Sequence, residues 1–513
     1  MRHDPQTAEN AQREAKPTRN SLGTSGNLVL ALSLLAIEFI AGMHVYLLAT
    51  VVPLVARDLD AYQYYGAITA AAQVAMFLTM PLGPYLLRRI PVSKLLLYLT
   101  GLSLIGAVTS ALSPSIAVFL AGRVISGLAA GALATVSLAV IVTVLPTSWR
   151  RRVLAGYALM WVVTSLVGPL YASWISGLLS WRWALVIYLP LLLVARAVIS
   201  RQLRGAMTDQ PRSQLALGAA LALAGGVALV SLTGLTAIPS VVAVGLGLLG
   251  MAVALSALRR LLPLGAFRIQ RGRPAAIAAM GLLAASYFGA AATVPIVVHD
   301  VLSGPTGAVA AVLTGGGLGW ALLGIIVNLK PANEPKHYAR RATWGTLFIA
   351  VGIAIMMAAL LGANGATSIG MVAGGWVVAG IGMGMTYVET LNQIVDPPID
   401  DGVAPAQAAS AAIIVEALPM ALAATIGTAL LGRSIGASAG APETAAPTAI
   451  SVLAVMAILA LATGVAARRV PVSGSARTIP SGFRRIIRGV SRGRGPGENC
   501  DHGDRPVCGV ERP

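Results

Sequence analysis

The sequence predicts an all-α membrane protein that crosses a bilayer fourteen times, and three observations carry that prediction. Of 513 residues, 56% are apolar and 11% are charged, less than half the about 25% charged of an average soluble domain. Apolar runs of about 20 residues, the length that a hydrocarbon core of about 30 Å demands of a helix, recur along most of the chain. The charges sit in short clusters between these runs. The balance of 37 − 19 = +18 therefore reads as loop charge and not as one basic face for nucleic acid, and a soluble enzyme is not expected.

The first six spans fall near residues 28–51, 62–87, 94–113, 115–140, 154–178 and 182–200. Two more, near 214–234 and 238–258, form a tight pair whose connecting loop carries no charge. The last six fall near 273–297, 306–329, 343–362, 368–391, 404–432 and 446–467. The expected organisation is a leader over 1–27, a six-helix bundle over 28–200, an inserted helix pair with its loops over 201–272, a second six-helix bundle over 273–467 and a basic tail over 468–513. In that tail Phe483, Ile486, Ile487 and Val490 follow a helical spacing, with Arg484, Arg485 and Arg488 on other faces. Residues 481–492 are thus expected to lie as a short basic helix on an anionic leaflet, or to stay disordered.

Orientation follows from the basic residues, which are retained on the cytoplasmic side during insertion. One set of alternate loops carries Arg88, Arg89, Lys94, Arg150, Arg151, Arg152, Arg259, Arg260, Lys336, Arg340, Arg341 and others, against Arg57, Arg182 and Arg433 in the intervening set. Both termini are expected in the cytoplasm, with the chain in a bacterial inner membrane. The loop around Asp396 and Asp401 has no Lys or Arg and breaks the pattern.

Cys500 and Cys508 both lie in the tail, so neither a disulfide framework nor a four-ligand zinc site is expected. There is no P-loop string, no cleavable signal peptide is expected, and no cofactor or metal is called for. Much of the glycine lies inside spans, as at Gly127 with Gly131 and at Gly380 to Gly384. Lipid tails supply no hydrophobic drive between helices, so small residues that let backbones approach provide the packing contact.

In the fourth span, Ala121-Gly122-Arg123-Val124-Ile125-Ser126-Gly127 resembles the Arg-x-x-x-Gly motif that the major facilitator superfamily carries there. Gly168-Pro169 in the fifth span resembles the Gly-Pro motif of its drug antiporters. Ser180-Trp181-Arg182-Trp183 with Tyr188-Leu189-Pro190 is similar to the entrance to the sixth span in the fourteen-span drug:proton antiporter family. The resemblance covers roughly residues 28 to 467 and implies a major facilitator fold of two six-helix bundles plus two inserted helices. The departures are equally specific. The pattern wants an Asp four residues past Gly83, where this chain has Leu87 followed by Arg88 and Arg89, so the loop latch of relatives is altered. The family's Leu-Asp-x-Thr string falls on Met43, His44, Val45 and Tyr46, which puts His44 in place of the usual acid.

An ionisable side chain at membrane depth is costly unless it finds a partner or a wet cavity, so each one is a functional candidate. Glu38 lies in the middle of the first span with no cation near it in sequence, placed to bind and release a proton. His44, six residues on, faces about 120° away and about 9 Å along the axis, so the two cannot simply pair. Its imidazole titrates near neutral pH. Arg123 keeps its proton and must be compensated; the resemblance places it near the proton-handling region, biasing a nearby acid, with Gln73 in support. In the second half Glu416 precedes Pro419 by three residues, where a distorted helix frees carbonyls, and Glu389 stands near the end of its span. Gly83, Arg88, Arg89, Gly127, Gly168 and Pro169 are the expected gating and packing positions. Tyr46, Tyr64, Tyr65, Tyr157, Trp161 and Tyr171 cluster in the first half, where rings stack on a flat or cationic ligand or form the ordinary interfacial aromatic belt.

The expected function is a monomeric, proton-coupled exporter of hydrophobic small molecules, cationic ones among them, working by alternating access. Its partners are that small-molecule substrate, protons and the bilayer, with anionic lipids at 481–492. The alternatives are export of a lipid or siderophore-like metabolite, solute:proton symport, and a non-transporting membrane scaffold or sensor.

Overall fold

The computed structural model describes residues 24–145, 147–203, 217–262, 266–329, 332, 335–362, 365–395, 405–438 and 442–470. The start of the leader, the loop around Asp396 and Asp401, and the tail with residues 481–492, Cys500 and Cys508 lie outside them. Among the described residues there is no strand, as expected of a chain that must satisfy its backbone hydrogen bonds inside a bilayer. Among the described residues thirteen helical spans are long and apolar enough to cross one.

The helices are α1 (Thr24–Asp58), α2 (Tyr65–Thr79), α3 (Leu82–Arg89), α4 (Val92–Ala111), α5 (Ile116–Val144), α6 (Thr147–Leu178), α7 (Trp181–Ala184) and α8 (Leu189–Gln202). They continue as α9 (Leu217–Ser231), α10 (Ser240–Leu261), α11 (Arg273–Ile296), α12 (Thr306–Leu329), α13 (Pro335–Leu361), α14 (Ala366–Val395), α15 (Pro405–Ala437) and α16 (Ala446–Ala467). The positions match the fourteen apolar runs, with two corrections: the run at 182–200 divides into α7 and α8 around a turn at residues 185–188, and the run at 62–87 is broken as well. The run at 62–87 is not one helix but two, α2 and α3, broken at Met80 and Pro81. Pro81 has no N–H to donate, and its ring crowds the carbonyl one turn back. At 15 residues, α2 rises only about 22 Å, short of a hydrocarbon core of about 30 Å. Pro53, Pro169 and Pro419 sit inside continuous helices.

Within the first six runs α1 packs on α6 and α8, and α5 on α2 and α4; within the last six α14 packs on α12 and α13, and α11 on α15 and α16. The most extensive crossings between these groups are α6 with α12 and α2 with α15, and α1 also meets α11 and α12. Glycine makes the tight approaches possible. A Cβ on Gly127 would stand 2.2 Å from the Ala72 carbonyl oxygen, and one on Gly380 would stand 2.1 Å from the Gly316 carbonyl oxygen. Both are backbone contacts that no side chain can relieve.

The hydrogen bonds that cross between the groups lie toward the membrane side away from the start of α1. Thr428 donates to Thr69 Oγ1 at 3.2 Å, Tyr65 donates to Asp300 Oδ2 at 2.5 Å, and Thr314 donates to the Leu166 carbonyl at 3.5 Å. On the same side Gly66 meets Ala429, and Gly432 meets the Tyr62 carbonyl. Nearer the other side, Leu159 and Trp161 of α6 and Leu322, Ile325 and Ile326 of α12 are exposed.

Candidate functional site

The membrane-depth candidates named from the sequence fall into four separate arrangements. The first joins three helical runs. Arg123 on α5 is buried and directs Nη1 to His44 Nε2 on α1 at 3.1 Å, while His44 Nδ1 lies 2.6 Å from the hydroxyl of Tyr188, the residue before α8. A guanidinium can only donate, so Nε2 must be the acceptor. The remaining ring proton then sits on Nδ1 and is donated to the Tyr188 oxygen. The hydrogen bonds thus define a neutral imidazole of one tautomer. Arg123 is not beside an acid; its partner is His44, and Arg123 Nε is buried without a hydrogen bond. Gln73 on α2 stands apart from this chain, with its Oε1 buried and unpartnered.

One and a half turns before His44, Glu38 accepts a hydrogen bond from Trp161 Nε1 of α6 at 2.8 Å and is half-buried. The cation that its sequence neighbours lack comes from another helix: the buried Arg196 of α8 lies within electrostatic reach. Glu38 and His44 make no contact with each other, as their helical phase requires.

In the second group Glu416 on α15 accepts from the Tyr387 hydroxyl of α14 at 2.7 Å. Tyr387 opens a ring series that composition did not place. Tyr387 meets Trp320 edge-on at 5.5 Å, Trp320 meets Tyr287 and Phe288, and Tyr287 stacks on Trp376 at 4.8 Å with ring planes 16° apart. The larger aromatic cluster therefore lies in the second half and not, as expected, in the first. The tyrosines counted in the first half are dispersed: Tyr46 packs under Gly168, Tyr171 donates to the Ala184 carbonyl at 3.2 Å, and the side chain of Tyr157 lies outside the described residues.

Glu389 is bound differently. It forms an ion pair with Arg341 of α13, and the Ala332 N–H donates to the same oxygen at 3.1 Å. This clasp ties α13 and α14 together beside a cavity of about 300 Å³ lined by His337, Arg340, Arg341 and Trp344. Glu416 is not part of it; its partner is Tyr387, two residues before Glu389 on α14.

The expected gating positions are mostly packing positions. A Cβ at Gly83 would collide with Thr135 of α5, and one at Gly168 would stand 2.8 Å from Cβ of Tyr46. Arg88 and Arg89 place their guanidinium carbons 5.8 Å and 4.8 Å from the ring of Tyr85. A cation–π contact thus occupies the arginines where the motif's acid is missing, and Leu87 in that acid's place is buried in the core. Pro169 leaves the Ser165 carbonyl without its helical N–H partner; Gly317 of α12 lies against Ser165 at the crossing of the two groups.

One acid went unrecognised in the sequence. Asp300, in a π-helical turn over Val297–Val301 that prolongs α11, is buried with Tyr65 on one oxygen and His299 Nδ1 at 2.9 Å on the other. Among the described residues no group of three His, Cys, Asp or Glu side chains could hold a metal ion.

The arrangement as a whole, a multi-pass helical membrane protein with isolated charged groups between its helices, is that of a membrane transporter. The family described as the Major Facilitator Superfamily matches residues 34–398. The multidrug efflux pump SdrM of Staphylococcus aureus is 24% identical over 171 residues, 33% of this chain and 38% of that protein. The fatty acid resistance protein FarB of Neisseria gonorrhoeae is 26% identical over 163 residues, 32% of each chain. These matches span well under half the length of the curated relatives. A solved structure of an auto-inhibited POT family peptide transporter superposes with a TM-score of 0.61 at 16% identity, covering 88% of this chain and 98% of that one. The likeness to that structure is one of fold. The chain belongs to the Major Facilitator Superfamily, a family of transporters and not of enzymes.

Proposed function

We propose that this chain is a proton-coupled secondary active transporter of the fourteen-span drug antiporter type, exporting hydrophobic small molecules by alternating access. In this reading α1 to α8 and α11 to α16 form two six-helix bundles that rock about a central path, with α9 and α10 inserted between them. The termini face the cytoplasm of a bacterial plasma membrane, the protein works as a monomer, and the stretch 481–492 rests on anionic lipid. The bundles are then joined on the outer side and parted toward the cytoplasm, the state that admits a substrate from within. The efflux and resistance functions named for the relatives favour export.

The observation that carries the proposal is Glu38. It is a carboxylate in the middle of α1, half-buried, held by an exposed Trp161 and attracted by Arg196. A fixed structural acid would be sealed; one that exchanges protons needs this mixture of restraint and access. Competition between proton and substrate at membrane depth then provides the coupling. In proteoliposomes loaded with a pH-sensitive dye, proton flux driven by ethidium or by dodecanoate is expected from the native chain. Glu38→Gln should abolish it while leaving a monodisperse, folded protein. Undiminished flux in that variant would remove Glu38 from the mechanism.

A further inference from the structure

The charge at the Arg123 site is unbalanced, and that determines what the site can receive. Arg123 is 8% exposed and stands seven residues, roughly 10 Å, into α5. Among the described residues it makes no ion pair. Its one hydrogen bond runs from Nη1 to His44, which the same bond requires to be neutral. Tyr188 beyond it is a neutral phenol that takes the other ring proton. Of the other described acids in the same helical group, Asp60 lies exposed in the turn after α1, and the remaining two are engaged elsewhere. Glu38 is held by Trp161, and Asp58 pairs with Arg182 at 2.5 Å. A guanidinium at this depth that meets no carboxylate is an unfinished ion pair.

The geometry also shows which edge is unfinished. Nη1 is taken by His44, Nε is buried with no partner, and Nη2 makes no hydrogen bond to the described residues. Nε and Nη2 together present the two parallel N–H bonds that match the two oxygens of a carboxylate. Val45 and Val124, the residues after His44 and Arg123, are 53% and 39% exposed on faces about 100° round their helices, so the site lies at a depth where the neighbouring surface is apolar, which suits a ligand with a hydrocarbon tail better than a small hydrophilic acid.

We propose that Arg123 receives the anionic head of the transported molecule, an amphiphile bearing a carboxylate, so that the site selects acids over the cationic compounds expected from the sequence. The proposal rests on the transporter reading. His44 is its selectivity residue: an acid at that position would neutralise Arg123 from within, whereas a neutral imidazole leaves the positive charge for the ligand.

Equilibrium binding of radiolabelled dodecanoate, dodecyltrimethylammonium and dodecanol to the full chain in zwitterionic nanodiscs tests this. Dodecanoate should bind saturably, and the cation and the alcohol should not compete with it. Arg123→Gln should weaken dodecanoate binding about thirtyfold or more, the usual consequence of removing a buried charged partner. His44→Asp keeps the arginine and guards against simple misfolding; it should lose dodecanoate to a similar extent and gain the cation. Preference of the native chain for the cation, absence of dodecanoate binding, or dodecanoate binding unchanged in both variants would each overturn the proposal. Proton flux in proteoliposomes separates the two readings. Binding of dodecanoate without flux of any kind defeats the transporter and leaves the anion site; flux driven by the cation but not by dodecanoate does the reverse.

Discussion

Replacing Arg341 should cost far more stability than replacing the acid it binds. The Glu389 side chain is 8% exposed and the Arg341 side chain 25%. Both strong donors converge on Oε1 of Glu389, and Oε2 is already buried without a partner. In Arg341→Met the carboxylate keeps a single backbone N–H, and an uncompensated buried charge of this kind costs about 3–5 kcal/mol. In Glu389→Gln the amide oxygen still accepts from Ala332 and from Arg341, whose guanidinium reaches water, so the loss is about 1 kcal/mol. The double variant leaves no buried charge and should resemble Glu389→Gln, which makes the coupling energy about 3–5 kcal/mol. Equilibrium unfolding of the four proteins in mixed micelles reads all three quantities. Equal costs for the single variants, or simple additivity in the double, would refute the assignment of Glu389 as a buried carboxylate that depends on Arg341.

Two further outcomes follow from the packing and from Glu416. Tyr387→Phe removes the hydroxyl that Glu416 accepts at 2.7 Å and should lower stability by about 1.5–3 kcal/mol, the value of a hydrogen bond to a charged group; in a Glu416→Leu background the same substitution should be nearly silent, which thermal unfolding in detergent can check. Gly127→Ala forces α2 and α5 apart, because the new Cβ meets the Ala72 backbone at 2.2 Å, and should shift the protein to aggregate on size exclusion. Gly177→Ala, at an open helical position, should be neutral or slightly stabilising.

The bilayer makes the fold legible, since it accepts few element types and prescribes their length. The apolar run at 28–51 and the observed α1 differ only at their ends, where polar residues such as Asn27 and Arg57 continue a helix that hydropathy alone would stop. The break at Pro81 was hidden because hydropathy is blind to a missing N–H. Depth likewise picked out Glu38, His44, Arg123 and Glu416, but not their partners. Trp161 lies 123 residues from Glu38, and Tyr188 lies 144 from His44; helical periodicity gives the face of a residue, not what another helix brings to it. Asp300 was missed for a related reason. It follows an apolar run that ends near 297, and a π turn carries the helix far enough to bury it. Pro295 before that turn and Gly304 after it were the available signals.

The inserted pair has a mechanical consequence for any motion that parts the two groups on their joined side. Helix α9 packs on both α2 and α15, and the loop between α9 and α10 is bonded to both groups. Arg433 of α15 donates to the Leu235 carbonyl at 2.7 Å, to the Ile238 carbonyl at 2.8 Å and to Ser240 Oγ at 3.1 Å. On the opposite side Gln63, just before α2, accepts from Thr236 through one oxygen, at 3.2 Å from the backbone N–H and 2.7 Å from the hydroxyl. Bonds from a charged donor contribute about 1.5–3 kcal/mol each, against about 0.5–1.5 for neutral ones, and the Gln63 set is exposed to competing water. When α2 and α15 separate, the Gln63 bonds should therefore yield before those of Arg433, so the loop of the inserted pair is held more firmly by α15 even though α9 itself also packs on α2.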